Sequence, residues 1–395
     1  MSFVSTFNSL STNGWVAKTT SGSYSPIYIL DNEDVGHDVA MSEDGNYVIA
    51  SNPDANTSGI VKVYTINNNV LLNQADIIGN TYIANVVSKF GTSIDIDYDG
   101  TRFVAGGTAN GLGNTQAGSA RIYLRTGTTW DIETQINPPV ANTSRFGNAV
   151  VINNSGDQIA IGQNYIGGTE SVYTYSRSGT TWSLLANIHT PANSIFFGAA
   201  LAMDGNNTLV IGAPRANTNG TFSGAAYVYD TNGSLLTTLL ASDGAANANF
   251  GNQIGISNDG NTIVITAPGD NSGVSAAYVY KGSGNSWTEV QKLVPFGTSG
   301  PFSGDEFGLN PQGVSGDGSI LALSTSPPIS STANYFSLLT YIDSSNINNY
   351  SSTQQIQYPA AAYFGSVVDI NYSGTLMITS AGNTNSIGNL ILLGQ

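Results

Sequence analysis

The sequence contains no cysteine, which excludes a disulfide framework and any thiolate metal site and leaves the redox compartment open. Histidine occurs only at His37 and His189. They lack the close spacing of a two-histidine zinc site, and each reads as a polar surface residue, His37 at a strand start and His189 in an inter-blade connection. No Gly-x-Ser-x-Gly elbow accompanies them, so no nucleophilic constellation is visible. Charge is scarce. Only 9% of residues are charged, against roughly 25% in an ordinary soluble domain, and 11 Lys and Arg face 26 Asp and Glu for a net charge of -15. So few scattered cations disfavour nucleic acid, whose binding depends on Lys and Arg neutralising phosphates. The acidic balance reads as a surface that keeps the protein soluble. No segment reaches the roughly 18 consecutive apolar residues of a membrane span. The first 25 residues have no basic stretch leading into an apolar run, so no secretory signal is predicted. The polar, lysine-poor composition nevertheless suits an extracellular surface or a virion. A cytosol-assembled particle, a signal-independent export route and a mature chain without its leader all reconcile the two.

What the chain has in abundance is glycine, 46 residues, placed at regular intervals. Phe250 to Tyr280, FGNQIGISNDGNTIVITAPGDNSGVSAAYVY, is the clearest copy of a unit whose opening pair recurs at Val35-Gly36, Phe90-Gly91, Phe146-Gly147, Phe197-Gly198, Phe250-Gly251, Phe307-Gly308 and Phe364-Gly365, in steps of 51 to 57 residues. Six positions after most openings stands a core-type residue: Met41, Ile96, Ile152, Met203, Ile256 or Ile370. A turn follows at Asp44-Gly45, Asp99-Gly100, Ser155-Gly156, Asp204-Gly205, Asp259-Gly260, Asp317-Gly318 and Ser373-Gly374, with Gly supplying the positive φ of a tight hairpin. The second strand is apolar and is stopped by Pro53, Pro214 or Pro268 in three copies. The third alternates small and aromatic residues, with more divergent forms at Ser337 to Ile342 and Asn389 to Leu393. A polar turn then leads to a fourth strand that opens with Trp130, Trp182 or Trp287 in three copies.

Four short antiparallel strands repeating about every 50 residues are the pattern of a propeller blade. The predicted fold is all-β, one seven-bladed β-propeller domain over residues 1–395, with blades starting near 35, 90, 146, 197, 250, 307 and 364. The seventh unit runs out after its third strand. Residues 1–34 are therefore expected to contribute the closing strand and the first connector. Because Trp15 precedes Val35 by the same 20 residues that separate Trp287 from Phe307, the closing strand is predicted to start near Trp15.

The Phe-Gly opening and Gly212-Ala213-Pro214 resemble the two halves of the FG-GAP repeat, which forms the seven-bladed propeller of integrin α subunits. The longer pattern, with its Ser/Asp-Gly turn, GAAYVY strand and Gly-Thr-Thr-Trp turn, is closest to FG-GAP repeats of bacterial and viral surface proteins. The resemblance spans Gly14 to Leu393. It implies fold strongly and function weakly, since one fold hosts many functions. It also implies a possible calcium loop of the form D-x-D-x-D-G in the first hairpin, matched only by Asp95-Ile-Asp97-Tyr-Asp99-Gly100. Calcium needs six to eight converging oxygens, and the later ligand positions here are Phe103 and Gly106. No other cofactor is expected.

Paired carboxylates doing glycosidase chemistry would have to come from the few acids in connecting loops: Asp54, Asp243, Asp270, Asp305 and Glu306. Their plain reading is solvated turns. The recurrent tryptophans read as packing anchors more than as a sugar-stacking row. The long segments Asn110 to Ala117, Arg215 to Phe222, Pro295 to Glu306 and Pro327 to Asn334 fall on one propeller face, and binding usually sits on such loops over a rigid scaffold. The expectation is a non-catalytic interaction or structural module on an extracellular surface, a virion or cell-envelope component, meeting a protein partner or surface glycan through that face. The alternatives are a glycan-acting enzyme and a lectin-like binder.

Overall fold

In the computed structural model the chain forms a ring of seven antiparallel sheets. The structure describes residues 16–17, 24–30, 33–79, 89–108, 118–139, 145–164, 170–270, 275–294, 306–307, 313–326, 337–343, 349–357, 367–383 and 386–395. Each blade runs from an inner strand beside the axis to an outer one at the rim. Blade 5 shows the plan: Ile254–Ile256, Thr262–Ala267, Ala276–Ser283 and Ser286–Leu293, paired in that order. Among the described residues no helix is long and apolar enough to cross a membrane.

The opening phenylalanines are wedges. Phe90, Phe146, Phe197 and Phe250 are at most 1% exposed, and Val35 fills the same place in blade 1. Phe250 lies in one apolar cluster with Val210, Ala226 and Val228 of blade 4 and with Ile254, Ile263 and Tyr278 of its own blade. Its ring meets Tyr278 and Tyr280 edge-on, with centroids 5.4 and 6.2 Å apart. The glycine beginning the third strand makes the wedge possible. Gly224 has φ +85°, and a Cβ there would stand 2.1 Å from the Phe250 carbonyl oxygen, a clash with backbone that only glycine avoids.

Between third and fourth strands the register shifts once in every blade, as between Val279 and Tyr280 or Val228 and Tyr229. An extra residue at this point bends the outer strand and strengthens its twist. The tryptophans pack as expected. Trp130 is buried against Phe103 and Tyr47. Trp182 donates its indole N–H to Glu133 at 3.1 Å. That carboxylate also receives Arg102 and Arg177, so it clasps blades 2 and 3 together. Burial works to raise its pKa, but the hydrogen bonds from Arg102 and Trp182 and the two guanidinium charges hold it below its ordinary value.

Two expectations need correction. An N-terminal strand does complete blade 7, but it is Ser25–Leu30, paired with Ser386–Gly394. The strand beside Trp15, Val16–Ala17, pairs instead with Ser351–Gln357 at the outer edge of blade 6. The connector after Leu30 is much shorter than the one after Leu293, so equal distances from Trp15 and Trp287 do not mark equivalent positions. The equivalent residues are Tyr24 and Tyr350, both buried. Their hydroxyls donate to the turn carbonyls of Gly374 and Gly318. In blade 4 the Asp204-Gly205 turn is shorter by one residue than its siblings, with Asp204 N bonding Thr208 O where Ser257 N bonds Thr262 O. The positive φ there falls on Asn207, at 66°, asparagine being the side chain that best tolerates it.

Candidate functional site: the axial channel and the loop face

The inner strands surround a cavity of about 970 Å³ along the axis. An inner strand is a sheet edge, and its outward N–H groups need acceptors. At three neighbouring junctions the acceptor is an aspartate. Asp369 of blade 7 accepts from Met41 N at 2.8 Å, Asp38 of blade 1 from Ile94 N at 2.9 Å, and Asp95 of blade 2 from Ile152 N at 2.8 Å. Each aspartate's other oxygen accepts the N–H of its own following residue. These carboxylates are latches between blades. Glu43 lines the same cavity at its turn end, with Oε2 buried and, among the described residues, without a hydrogen-bond partner. Burial pushes Asp38 up to about 7, Asp369 to about 6 and Glu43 to about 8, with the neighbouring aspartates adding to the effect on Asp38 and Glu43. Asp95 is raised well above its ordinary range for the same reason. In blades 3 to 5 the place held by Asp95 and Asp369 is taken by Val151, Ala202 and Gly255, so no carboxylate from these blades lines the cavity.

At one end of the channel the Asp-Gly turns bond to one another around the ring. Tyr372 N donates to Glu43 O, Asp44 N to Tyr98 O, Tyr98 N to Asn154 O, Gly205 N to Asn258 O, Asp259 N to Gly316 O and Gly316 N to Tyr372 O, all within 2.9 to 3.2 Å. At the remaining junction Asn153 Nδ2 donates to Asn207 Oδ1 at 2.7 Å.

The structure does not bring Asp95, Asp97 and Asp99 together. Asp95 faces the channel, Asp97 Oδ1 accepts from Arg102 N, and Asp99 Oδ1 accepts from Thr101 N. Among the described residues no group of three or more His, Cys, Asp or Glu side chains is arranged to hold a metal ion. Adding calcium to chelator-treated protein is accordingly expected to leave the melting temperature unchanged. A rise of several degrees would mean that the three carboxylates rearrange to bind it.

On the opposite face the described loop aspartates named from sequence are each neutralised by a lysine. Asp54 pairs with Lys89, while Asp243 and Asp270 share Lys292 at 2.6 and 2.5 Å. Glu306 belongs to a short inner strand, Glu306–Phe307, and Asp305 lies outside the described residues. His37 stands exposed at the channel lining. His189 is the last residue of the strand Thr181–His189 and not part of a connecting loop, because it pairs with Ser171. Of the four long segments, Asn110 to Ala117, Pro295 to Asp305 and Pro327 to Asn334 fall outside the described residues. The fourth, Arg215 to Phe222, is ordered by backbone bonds to the connectors on both sides, Asn217 N to Asn193 O and Asn247 N to Thr221 O, each 2.8 Å. The Arg215 guanidinium lies over the ring of Phe196 at 4.6 Å and that of Phe222 at 5.6 Å. Both phenylalanines hold left-handed backbone, φ 62° and 54°, a conformation that costs about 1 to 3 kcal/mol and persists only where surroundings impose it. Sequence reading named the segment but not this arrangement. Its signal is the doubled Phe196-Phe197 followed by Arg215 directly after Gly-Ala-Pro, a combination found in blade 4 alone.

A model of the FG-GAP repeat matches residues 191–229 and 234–280, the two units of blades 4 and 5. No curated protein matches the sequence. Among solved structures, hydrazine synthase of Kuenenia stuttgartiensis is similar with a TM-score of 0.60 and 12% identity, over 95% of this chain and 99% of that one. A protein from Lactobacillus plantarum gives 0.57 and 12%, over 86% and 89%. Chaetomium thermophilum Sqt1, solved bound to the N-terminus of ribosomal protein L10, gives 0.53 and 14%, over 91% and 86%. At such identities the likeness is one of fold. The matched segments make the units of blades 4 and 5 FG-GAP repeats, within a chain that folds as a seven-bladed β-propeller.

Proposed function

We propose that this propeller is a non-catalytic interaction module on an extracellular or virion surface, and that it meets its partner through the loop face. A seven-bladed propeller carrying FG-GAP repeats is consistent with a protein-interaction module. The observation that supports the particular face is the difference between the two ends of the ring. At one end the turn backbones are engaged with one another. At the other, a loop pinned at both flanks exposes Asn217 through Thr221 to solvent. A rigid ring with such a loop is a scaffold for recognition. The channel carboxylates Asp38, Asp95 and Asp369 each bridge backbone N–H groups of neighbouring blades, which is structural work, and the loop acids Asp54, Asp243 and Asp270 are paired with lysines.

A photo-crosslinking residue at Thr218 on the loop face and another at Thr128 on the turn face provide the test, with the protein in place on its native particle or surface. Adducts from position 218 and none from 128 are expected. Adducts from 128 alone would reverse the orientation, and recovery of the protein as a free cytosolic monomer would remove the surface assignment.

A further inference from the structure

We propose that the cavity beside Arg215 binds a carboxylate-bearing sugar, a uronic or sialic acid residue. This deepens the loop-face reading and rests on it. The cavity has a volume of about 390 Å³ and lies between blades 4 and 5, lined by Phe196, Pro214, Arg215, Asn249, Asn252 and Pro268. No carboxylate is in that lining.

Arg215 is exposed, and its contacts are the two rings. Lys62, Lys89, Arg102, Arg177 and Lys292 all pair with acids. Arg215 forms no ion pair or hydrogen bond among the described residues, in a chain where acids outnumber bases by 26 to 11. A guanidinium held between aromatic faces keeps its donors in a fixed plane, the arrangement that suits bidentate binding of a carboxylate. The fixing is built in. Phe222 N donates to Asn217 Oδ1 at 2.8 Å and Asn249 N to Phe222 O at 3.1 Å, so the loop cannot swing away without breaking both.

The rest of the lining selects the body that carries the carboxylate. The Asn249 amide donates one N–H to Asn247 O at 2.9 Å. Its other hydrogen and its oxygen, with the amide of Asn252, are the group types that match sugar hydroxyls, while the Phe196 ring with Pro214 and Pro268 offers apolar surface to the C–H face of a pyranose. An acidic peptide is matched less well, because the two prolines bring no N–H to pair with its backbone.

The test is a titration of isotopically labelled full-length protein, reading amide and arginine Nε–H resonances, with sodium glucuronate, N-acetylneuraminate, glucose and an acetylated Asp-containing tripeptide amide. Saturable shifts at Arg215, Phe196 and Asn249 are expected with at least one acidic sugar, weaker by about tenfold or more in R215Q and in R215K, which keeps charge but loses the fork. Glucose is expected to give none. Absence of saturable shifts with both acids, equal binding by R215Q, or tighter binding of the tripeptide would overturn the proposal. Should R215Q fail to give a dispersed spectrum, N252A serves in its place, with the same loss expected. If the acids fail to bind while Thr218 crosslinks on the native surface, the loop face stands and the sugar assignment falls.

Discussion

Phe250→Ala is expected to lower stability by about 3 to 5 kcal/mol. The ring is fully buried between blades 4 and 5, and its removal leaves a void bounded by strands of both. Those strands are tied to their own sheets, so neither blade can collapse into the space. Two edge-on contacts with Tyr278 and Tyr280 go with it, each contributing about 0.5 to 1.5 kcal/mol in comparable pairs. Phe250→Leu, which keeps most of the volume, should cost less than half as much. Denaturant titration of the three proteins checks this. A loss below about 1 kcal/mol for the alanine variant would mean that the wedge does not hold the two blades.

The protein is also expected to lose stability as pH rises from about 5 to about 8, the reverse of the ordinary behaviour of carboxylates. Asp38 is pushed up to about 7, Asp369 to about 6 and Glu43 to about 8, mainly by burial, with Asp95 raised well above its usual range. In the unfolded chain these groups titrate near 4. Between the two limits the native state binds more protons than the unfolded one, so stability is full on the acid side and declines as each group ionises. The groups face one another in a single cavity, and their losses come as a coupled series. A unit of pKa is about 1.4 kcal/mol, so the fully buried aspartates together should produce a change of several kcal/mol. Urea unfolding at pH 5, 6, 7 and 8 reads the slope directly, and Asp95→Asn should flatten it. Stability rising over that range would show that hydrogen bonds to the charged forms outweigh burial.

The sequence carried the repeat with little loss. The wedge, buried in blades 1 to 5, and the turn are each demanded by geometry, so they recur and can be counted, while Phe364-Gly365 lies outside the described residues. What does not recur was harder to read. Asp95 was visible as one of three alternate acids, and the calcium pattern drew attention away from its neighbours in space. Asp38 and Asp369 belong to blades 1 and 7, and only ring closure brings them beside it. The closing strand follows Tyr24 and not Trp15, because the informative signal is a local pair, Tyr24-Ser25 against Tyr350-Ser351, and not an interval between tryptophan and blade opening. Arg215 and Phe196 were hidden in the same way. Their ring contacts span a connector and a loop, and neither segment has a period.

The pairing of Ser25–Leu30 with Ser386–Gly394 has a consequence for biogenesis. During synthesis residues 25–30 leave the ribosome long before their partner strand, which is made more than 350 residues later. For that interval the closing strand has no sheet to join, while blades 1 through 6 are completed by neighbours in sequence. The entropy of closing so long a loop grows only logarithmically with its length. The delay is therefore one of waiting, and the final event of folding should be the docking of a strand that has been exposed throughout. A nascent chain halted short of residue 386 should hold an almost complete ring with one open seam, and that seam is where a chaperone or a second nascent chain would find it.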